Sequence, residues 1–488
     1  MTNLFYGAGR QQLNNTYYLA IDIGASSGRH VLGHVEDGIM KLEEVYRFEN
    51  RQVMRGGHTC WDIELLKRGI IDGIRRCGML GKIPKTIGID TWAIDYVLLD
   101  KNDDMIGDAV AYRDRRTDGM AEKVDRMIPE RELYERTGIQ RQEFNTIYQL
   151  MALKNEDPGQ LAQAESLLML PDYFNFILTG VKKQEYTNAT STGLVNAERK
   201  TWDYGLIDRL GYPKKLFGEL SMPGTVVGHL LPLVQETVGF DAEVVLPATH
   251  DTGSAFLAVP AKDDKAVYLS SGTWSLLGVE NEDPITTPES QKANFTNEGG
   301  AWYRFRYLKN IMGLWIIQSI RRELNGVSYV AGRTSRHKSD REWSFPDLAE
   351  EAKKYSAFPS LIDVNENRFL APSSMIDEIE NACRESGQPV PENVGELMQC
   401  VYRSLADSYR RAVEELSILT GKTYTSMNIV GGGCQDKYLN EMTEKATGLP
   451  VSAGPVEGTA IGNLIVQMIH GGEYKNLADA RASVARSF

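Results

Sequence analysis

A pair of strands joined by a short Gly/Ser turn occurs twice in this sequence, once in each half. In the first half, Tyr17–Ile23 predicts a strand, a glycine-serine turn follows, and a second strand runs over 29–35. In the second half, 266–269 and 274–279 predict strands joined by Ser-Ser-Gly-Thr. Antiparallel strands before any helix differ from the opening of a Rossmann fold. The repetition predicts an α/β protein with two related lobes and a cleft between them.

The chain length supports this division. With 488 residues the chain exceeds one ordinary hydrophobic core and fits two large domains. We predict an N-terminal extension at 1–16, an N-terminal lobe at 17–247 and a C-terminal lobe at 248–488. Apolar spacing predicts a helix over 63–77, and the segment 310–318 predicts another helix with Asn310 as its N-cap.

Composition excludes several classes of function. A formal net charge of −12 argues against a nucleic-acid partner, because no basic surplus is available to neutralise phosphates. The five cysteines are scattered without a Cys-x-x-Cys pair, which predicts reduced thiols and no metal site of zinc type. There is no signal peptide and no apolar run of about 20 residues, so we expect a cytoplasmic protein with no membrane partner.

The most informative short motif surrounds Asp251. An apolar run at 243–247 precedes His250 and Asp251, and Thr252 and Gly253 can open a helix. This order predicts that Asp251 lies at the carboxyl end of a strand and faces a helix N-terminus. A carboxylate there can accept a proton from a hydroxyl substrate, while nearby N–H groups favour a phosphate. The motif therefore indicates phosphoryl transfer to an alcohol.

Three glycine-rich turns are candidates for nucleotide contacts. The turn after Asp22 contains Gly24 and Gly28, whose backbone N–H groups can converge on phosphate oxygens, and Asp22 can hold Mg²⁺ through water. The turn at 270–273 is a second phosphate candidate, although a plain hairpin explains either turn equally well. The three glycines at 431–433 allow a flat ring to approach the backbone. No P-loop motif is present.

A sugar site is indicated by Trp92, Ala93 and Asp95. Sugar sites combine an aromatic face for stacking with a carboxylate for hydroxyl groups. The residues alone favour a plainer interpretation, in which a buried Trp lies beside a surface Asp. The dense charges at 112–116 are explained equally well by a salt-bridged turn.

Ten short blocks resemble, in the same order, those of the FGGY family of carbohydrate kinases, and together they cover roughly 18–470. Single blocks are weak signals, but the ordered set is highly specific. The blocks are Asp-Ile-Gly-Ala-Ser-Ser-Gly-Arg (22–29), Ile-Asp-Thr-Trp-Ala-Ile-Asp-Tyr-Val-Leu-Leu-Asp (89–100), Ala-Tyr-Arg-Asp-Arg-Arg-Thr (111–117), Met-Leu-Pro-Asp-Tyr-Phe (169–174), Glu-Tyr-Thr-Asn-Ala-Thr (185–190), His-Asp-Thr-Gly-Ser-Ala (250–255), Tyr-Leu-Ser-Ser-Gly-Thr-Trp-Ser-Leu (268–276), Asn-Glu-Gly-Gly (297–300), Leu-Lys-Asn-Ile-Met-Gly-Leu-Trp (308–315) and Gly-Gly-Gly-Cys-Gln (431–435).

The resemblance implies a fold and a reaction. The fold is the two-lobed, actin-like and ribonuclease-H-like ATPase fold with a central cleft. The reaction is ATP-dependent phosphorylation of the C1 hydroxyl of L-rhamnulose in L-rhamnose catabolism, with ATP and Mg²⁺ as cofactors. The N-terminal lobe would bind sugar and phosphate, and the C-terminal lobe would carry the base and bind nucleotide. We expect a monomer or a small homo-oligomer.

The resemblance also implies site residues, with Asp251 as the general base. The expected sugar contacts are Ala93, His250, Thr252 and Asn310, to which we add Trp92 and Asp95. The expected ATP contacts are Ala25, Ser26, Ser27, Gly28, Arg29, Thr273, Gln318 and Gly433. One residue departs from the family pattern, because Ala93 stands where the family usually has Gly.

Three alternatives remain at this point. The first is an FGGY kinase for another ketose or polyol, of the L-fuculose, ribulose or xylulose type. The second is a non-catalytic nucleotide-binding protein of the actin-like fold, although a base at the cleft speaks against it. The third, and weakest, is a hydrolase that uses Asp251 with Asp22.

Overall fold

The structure is a computed structural model that describes residues 15–328 and 334–488, so the predicted extension at 1–16 lies almost entirely outside the described residues. The strands are β1 (Tyr17–Ile23), β2 (Ser27–Glu36), β3 (Ile39–Glu49), β4 (Gln52–Arg55), β5 (His58–Trp61), β6 (Pro84–Thr91), β7 (Tyr96–Leu99), β8 (Met105–Ile106), β9 (Ser166–Met169), β10 (Gln184–Glu185), β11 (Val195–Asn196), β12 (Thr201–Trp202), β13 (Leu220–Ser221), β14 (Val226–His229), β15 (Glu243–Val245), β16 (Ala266–Ser271), β17 (Trp274–Asn281), β18 (Thr296–Gly299), β19 (Phe305–Met312), β20 (Ser426–Val430) and β21 (Val451–Ala453).

The helices alternate with these strands in both halves. They are α1 (Ile63–Met79), α2 (Met120–Asp125), α3 (Glu130–Thr137), α4 (Thr146–Glu156), α5 (Pro158–Gln163), α6 (Leu170–Thr179), α7 (Tyr186–Thr190), α8 (Tyr204–Leu210), α9 (Pro232–Val238), α10 (Asp251–Leu257), α11 (Pro288–Lys292), α12 (Trp315–Leu324), α13 (Phe345–Lys354), α14 (Met375–Glu385), α15 (Val394–Thr420), α16 (Lys437–Thr447), α17 (Gly458–Gly471) and α18 (Leu477–Ser487). Within the described ranges, no helix is both long and apolar enough to cross a bilayer.

Two six-stranded sheets share one plan. The first has the order β14-β15-β6-β1-β2-β3, and the second has the order β18-β19-β17-β16-β20-β21. In the first sheet β1, β2 and β3 are antiparallel, whereas β6 runs parallel to β1 and β15 parallel to β6. The second repeats this with β16, β17 and β19 antiparallel and with β20 and β21 parallel. The predicted duplication of an α/β unit is therefore confirmed.

Each sheet has its own hydrophobic core, as apolar patterning requires. Helix α1 buries Ile63, Leu66, Ile70 and Ile74 against the first sheet, and the Asp62 carboxylate caps the helix by accepting from the Leu65 N–H. A second cluster lies between the second sheet and helices α12 to α15. The two cores leave the carboxyl ends of the parallel strands free to form a site.

Helix α17 lies far along the chain from the first sheet but packs on it. Asn463 donates from Nδ2 to Oδ2 of Asp90 at 2.6 Å, and Gln467 donates to the Leu19 carbonyl at 3.0 Å. Thr86 donates from Oγ1 to Gln467 at 2.6 Å. A helix near the C-terminal end of the described chain thus packs on the N-terminal sheet. Because the two halves of the chain share contacts in this way, a boundary at 247/248 stays a prediction.

The structure corrects two local predictions. Asn310 is not a helix N-cap, because it lies within β19, which pairs with β17 from Trp274 opposite Met312 to Asn281 opposite Phe305. The helix begins later, at Trp315. The predicted strand over 93–100 is shorter and covers only Tyr96–Leu99. For 310–318 a short apolar run is compatible with either element, and sheet pairing decides between them. For 93–100 the positive φ of Ile94, 69°, interrupts the extended backbone, so the strand begins after it.

Candidate active site

Turns from distant parts of the sequence meet in one cleft of about 460 Å³. Strands β15, β6 and β1 are neighbours and run parallel, so the segments after their carboxyl ends lie side by side. These segments bring Asp251, Trp92 with Ala93, and Ala25 to one wall. The turns after β16 and β20 supply the opposite wall with Thr273 and Gly432. The cleft thus joins the predicted sugar motif to the predicted phosphate turns.

Asp251 is the first residue of α10 and lines this cleft. Its Oδ1 accepts hydrogen bonds from the backbone N–H and from Oγ1 of Thr252 at 2.6 and 3.0 Å. Burial, and then the negative charge of Asp22, raise the pKa of Asp251 to about 6. The side chain keeps 34% of its surface exposed. The carboxylate is therefore mostly ionised at neutral pH and close to the range that suits a general base.

His250 lies beside Asp251, with its side chain only 10% exposed. Its backbone is held by the end of β6, since Thr91 forms a parallel bridge with His250 and donates its N–H to the Thr249 carbonyl at 3.0 Å. Nδ1 lies 3.0 Å from Nη2 of Arg306. Burial, and then the positive charge of Arg306, hold the pKa of His250 well below its usual range. The imidazole is therefore neutral.

Asp95 is buried beneath the cleft wall, and its side chain is not part of the lining. Oδ2 accepts from the indole N–H groups of Trp61 and Trp92 at 2.6 and 2.9 Å and from the Tyr112 N–H at 3.2 Å. Oδ1 accepts from Nε2 of Gln149 at 3.0 Å. Burial raises the pKa of Asp95, although these donors oppose the shift. The geometry makes Asp95 a support for Trp92 rather than a wall residue.

Ile94 holds a strained conformation in the same loop. Its φ is 69°, which is rare for a β-branched residue and costs of order 1–3 kcal/mol. The Ile94 carbonyl accepts from Oγ1 of Thr146 at 2.6 Å and from Nε2 of Gln149 at 3.3 Å. The loop that carries Ala93 into the cleft is thus held in place from behind.

The predicted phosphate turn divides into two parts. Ala25 and Arg29 line the cleft, whereas Ser26 is exposed and outside the lining, and β2 already begins at Ser27. A side chain at Gly28 would place its Cβ 2.2 Å from the Phe48 ring, so this glycine allows packing of Phe48. Packing therefore accounts for Gly28 without a phosphate contact.

Arg29 joins the two halves of the chain at the edge of the cleft. Nη2 of Arg29 donates to Oδ2 of Asp22 at 2.9 Å, and Nη1 forms an ion pair with Glu457. The guanidinium is thus a cation on the cleft wall, next to the turn predicted to bind phosphate. It forms ion pairs with two carboxylates, Asp22 and Glu457.

A second cavity of about 660 Å³ adjoins the cleft and shares Gly272 and Gly432 with it. Gln318 and Gly433, both predicted to contact ATP, line this second cavity. Gly431 has a φ of 85° and packs against the Ser271 backbone, and a Cβ on Gly433 would lie 2.0 Å from the Ser271 Oγ. The close packing of two turns explains these two glycines, while Gly432 is open to both cavities.

The residues present fit a metal that arrives with phosphates rather than one held by the protein alone. Within the described ranges, no group of three or more His, Cys, Asp or Glu side chains can hold an ion. Asp22 and Asp90 lie opposite each other on β1 and β6. Burial, and then the charge of Asp22, raise the pKa of Asp90 well above its usual range. Mg²⁺ commonly keeps several waters and uses one or two carboxylates plus substrate phosphates. Neither Asp22 nor Asp90 lines the cleft and Asp90 is fully buried, so of the two only Asp22, with its side chain 12% exposed, is placed to face such an ion, through water.

Sequence reasoning assigned no role to several residues at the cleft. Glu298 lines it from β18, Gln140 lines it and accepts from Nδ2 of Asn310 at 3.0 Å, and Arg306 lies fully buried behind His250. Glu298 falls in one of the ten blocks. Arg306 lies between Phe305 and Tyr307 in an apolar strand. Because a buried arginine requires a partner, its position in the sequence is a signal that could have indicated a role.

Comparison with known proteins finds the two domain models of one family along the chain. The family model "FGGY family of carbohydrate kinases, N-terminal domain" matches residues 17–258, and the C-terminal domain model of that family matches residues 267–470. A rhamnulokinase of Halalkalibacterium halodurans is 49% identical over 97% of this chain and 97% of its own length. A rhamnulokinase of Oceanobacillus iheyensis is 47% identical over 96% of each chain.

Solved structures agree in fold. A gluconate kinase from Lactobacillus acidophilus superposes with a TM-score of 0.78 at 16% identity, covering 96% of this chain and 92% of its own. A Plasmodium falciparum glycerol kinase with ADP superposes with a TM-score of 0.74 at 14% identity, covering 97% and 93%. At such identities the likeness concerns the fold alone, and it confirms the predicted two-lobed fold.

Proposed function

The chain belongs to the FGGY family of carbohydrate kinases, and on that premise we propose that it transfers the terminal phosphoryl group of ATP to the C1 hydroxyl of L-rhamnulose. It is a sugar kinase. Relatives named rhamnulokinase, at 41–49% identity over about 96% of the chain, support L-rhamnulose as the sugar. The observation that carries the mechanism is that Asp251 lines the same cleft as Trp92, Ala93 and the turns at Gly272 and Gly432.

Asp251 accepts the proton of the sugar's primary hydroxyl in this mechanism. As that oxygen attacks the γ-phosphorus in line, the proton passes to the ionised carboxylate, and ADP leaves on the far side. General-base assistance of this kind contributes roughly 10²- to 10⁴-fold to the rate. Phosphoryl transfer otherwise depends mainly on positioning and on charge neutralisation.

Both lobes contribute residues to the positioning of each substrate. Trp92, Ala93, His250, Thr252 and Asn310 face the sugar. The residues that face the nucleotide are Ala25, Ser26, Ser27, Gly28, Arg29, Thr273, Gln318 and Gly433. Five of them line one of the two cavities, whereas Ser26, Ser27 and Gly28 line neither. Asp95 acts by holding the Trp92 indole.

Mg²⁺ belongs to this proposal as the partner of the nucleotide. When bound, it would neutralise charge on the phosphates. Asp22 is the carboxylate proposed to face it through water. Arg29 neutralises part of the phosphate charge from the protein side, because its guanidinium lies on the cleft wall.

A coupled assay for ADP release over a panel of sugars tests the proposal. The panel holds L-rhamnulose, L-fuculose, D-ribulose, D-xylulose and glycerol, and Asp251→Asn serves as the control for contaminating kinases. We expect L-rhamnulose to give the highest kcat/KM. The panel is repeated with Ala93→Gly, because Ala93 lines the cleft and is the departure from the family pattern. Preference for another sugar would reject the substrate, and no sugar-dependent turnover would reject the kinase mechanism.

A further inference from the structure

A buried ion pair lies beside His250, formed by Arg306 and by Glu298, which also lines the cleft. Arg306 on β19 and Glu298 on β18 lie opposite each other in register. Nη1 of Arg306 is 3.0 Å from Oε2 of Glu298, and the two side chains are only 1% and 10% exposed. Nε and Nη2 of Arg306 also donate to the Gly299 carbonyl at 3.2 and 3.1 Å. The guanidinium is therefore held in one orientation.

That orientation decides what His250 can do. Nη2 of Arg306 lies 3.0 Å from Nδ1 of His250 with good hydrogen-bond geometry. A guanidinium has donors and no acceptor, so this hydrogen bond exists only if Nδ1 carries no hydrogen. A neutral imidazole then carries its hydrogen on Nε2. Burial and the charge of Arg306 keep the ring neutral.

Glu298 competes for the same nitrogen. Its Oε2 is 3.3 Å from Nδ1, and by itself it would favour a hydrogen there. However, within the described part of the chain, Oε2 has no hydrogen-bond partner of adequate geometry. The contact from Arg306 is shorter and well aligned, and Arg306 also neutralises the carboxylate.

We propose that Arg306 is a positioning residue that imposes the Nε2–H tautomer on His250 and thereby makes His250 a hydrogen-bond donor to a sugar oxygen. Nε2 lies 3.5 Å from Oδ1 of Asp251, and both residues line the cleft. The pair of side chains offers the sugar one donor and one acceptor, and proton acceptance falls to Asp251. This inference rests on the proposed function for the identity of the ligand, whereas the tautomer is a property of the protein without sugar.

The first test needs no variant at Arg306. Histidine labelled with ¹⁵N is incorporated into the full chain, and the His250 signals are assigned by their loss in His250→Gln. We expect a protonated-type signal for Nε2 and an unprotonated-type signal for Nδ1 at neutral pH, without sugar. The reverse pattern, or a doubly protonated ring, overturns the proposal. A correct tautomer in a protein that phosphorylates no sugar would reject the proposed function and leave this inference standing.

Variants test the role of Arg306. In Arg306→Gln the Glu298 carboxylate is left as the nearest charged neighbour of Nδ1, so we expect the hydrogen to move to Nδ1. The KM for sugar should rise about ten-fold or more while the KM for ATP changes little, because one hydrogen bond to the sugar is lost. Arg481→Gln is the matched control, since Arg481 is also buried and paired with a carboxylate, Glu280, away from the cleft. An unchanged tautomer in folded Arg306→Gln overturns the proposal.

Should Arg306→Gln fail to fold, substitutions at His250 provide the second measurement. Gln can place an amide N–H near the Nε2 position, whereas Leu has similar size and no donor. We expect the KM for sugar to rise only a few-fold in His250→Gln and at least ten-fold in His250→Leu. Equal losses in the two variants would show that no donor is needed at this position and would overturn the proposal.

Discussion

Nε2 of His250 lies 3.5 Å from Oδ1 of Asp251, so two consecutive residues present an imidazole and a carboxylate to the same cavity. The two groups differ in charge, because burial lowers the pKa of His250 and raises that of Asp251. At neutral pH the imidazole is neutral and the carboxylate is mostly ionised. A kinase that must deprotonate a hydroxyl can use the carboxylate as its base.

Asp251→Asn should lose at least 10²-fold in kcat and keep its affinity for ATP. The amide accepts hydrogen bonds from Thr252 as the carboxylate does, but it cannot take a proton. Turnover is measured by ADP release and nucleotide affinity by isothermal titration. A kcat within a few-fold of the wild type would contradict the assignment of Asp251 as the base.

The pH dependence of kcat/KM should show an acidic limb near pH 6. The pKa of Asp251 is raised to about 6, so the base is protonated and inactive below that pH and ionised above it. Rates are measured from pH 5 to 8 with saturating ATP, after confirming that the coupling enzymes are not limiting. A flat profile through pH 6 would be incompatible with this role.

Asp251→Asn should also be more stable than the wild type at pH 8. The pKa of Asp251 in the folded protein, about 6, exceeds its ordinary value of about 3.9, so the folded state binds more protons between these values. Proton binding to Asp251 therefore stabilises the folded state relative to the unfolded state. This contribution to the free energy of unfolding is fully present below about pH 4, and it is lost as the pH rises through about 6. The variant does not titrate. Its advantage in melting temperature should shrink from pH 8 to pH 5, and a lower melting temperature at pH 8 would argue against the shifted pKa.

Asp95→Asn should raise the KM for sugar about ten-fold and leave the KM for ATP unchanged. The carboxylate accepts from both indoles, and an amide would direct its own N–H groups at some of these donors. We expect a stability loss of roughly 1–3 kcal/mol. Asp103→Asn is the control, since Asp103 is exposed and its positive φ of 66° suits Asn. Equal effects in the two variants would remove the case for Asp95 as a support of Trp92.

Gly433→Ala should destabilise the fold by roughly 1–3 kcal/mol, as overpacking does. Its Cβ would lie 2.0 Å from Ser271 Oγ and 2.9 Å from Leu314. Gly432→Ala is the matched control, because a Cβ there has no neighbour within 4 Å. Denaturant unfolding gives both free energies. Similar values for the two variants would show that the Ser271 contact does not require a glycine.

Local patterns predicted much of the fold. The limits of β1 are as predicted, α1 extends two residues beyond its prediction, and Asp251 begins a helix that follows a strand, as its motif indicates. These features depend on short-range periodicity, which a single sequence displays. Local pattern does not assign Asn310 to β19, because the apolar residues around it suit the period of a helix as well as that of a strand.

The sequence by itself determined the duplicated strand–turn–strand plan and the family resemblance, and it supplied the proposal that Asp251 is the base. Only the tertiary structure decided that Asp95 supports Trp92 from behind and that Arg306, 56 positions from His250, faces its Nδ1. It also decided that α17 closes the first sheet. The physical reason is that periodicity and turn residues act over a few positions, whereas a buried charge finds its partner through the packing of whole sheets.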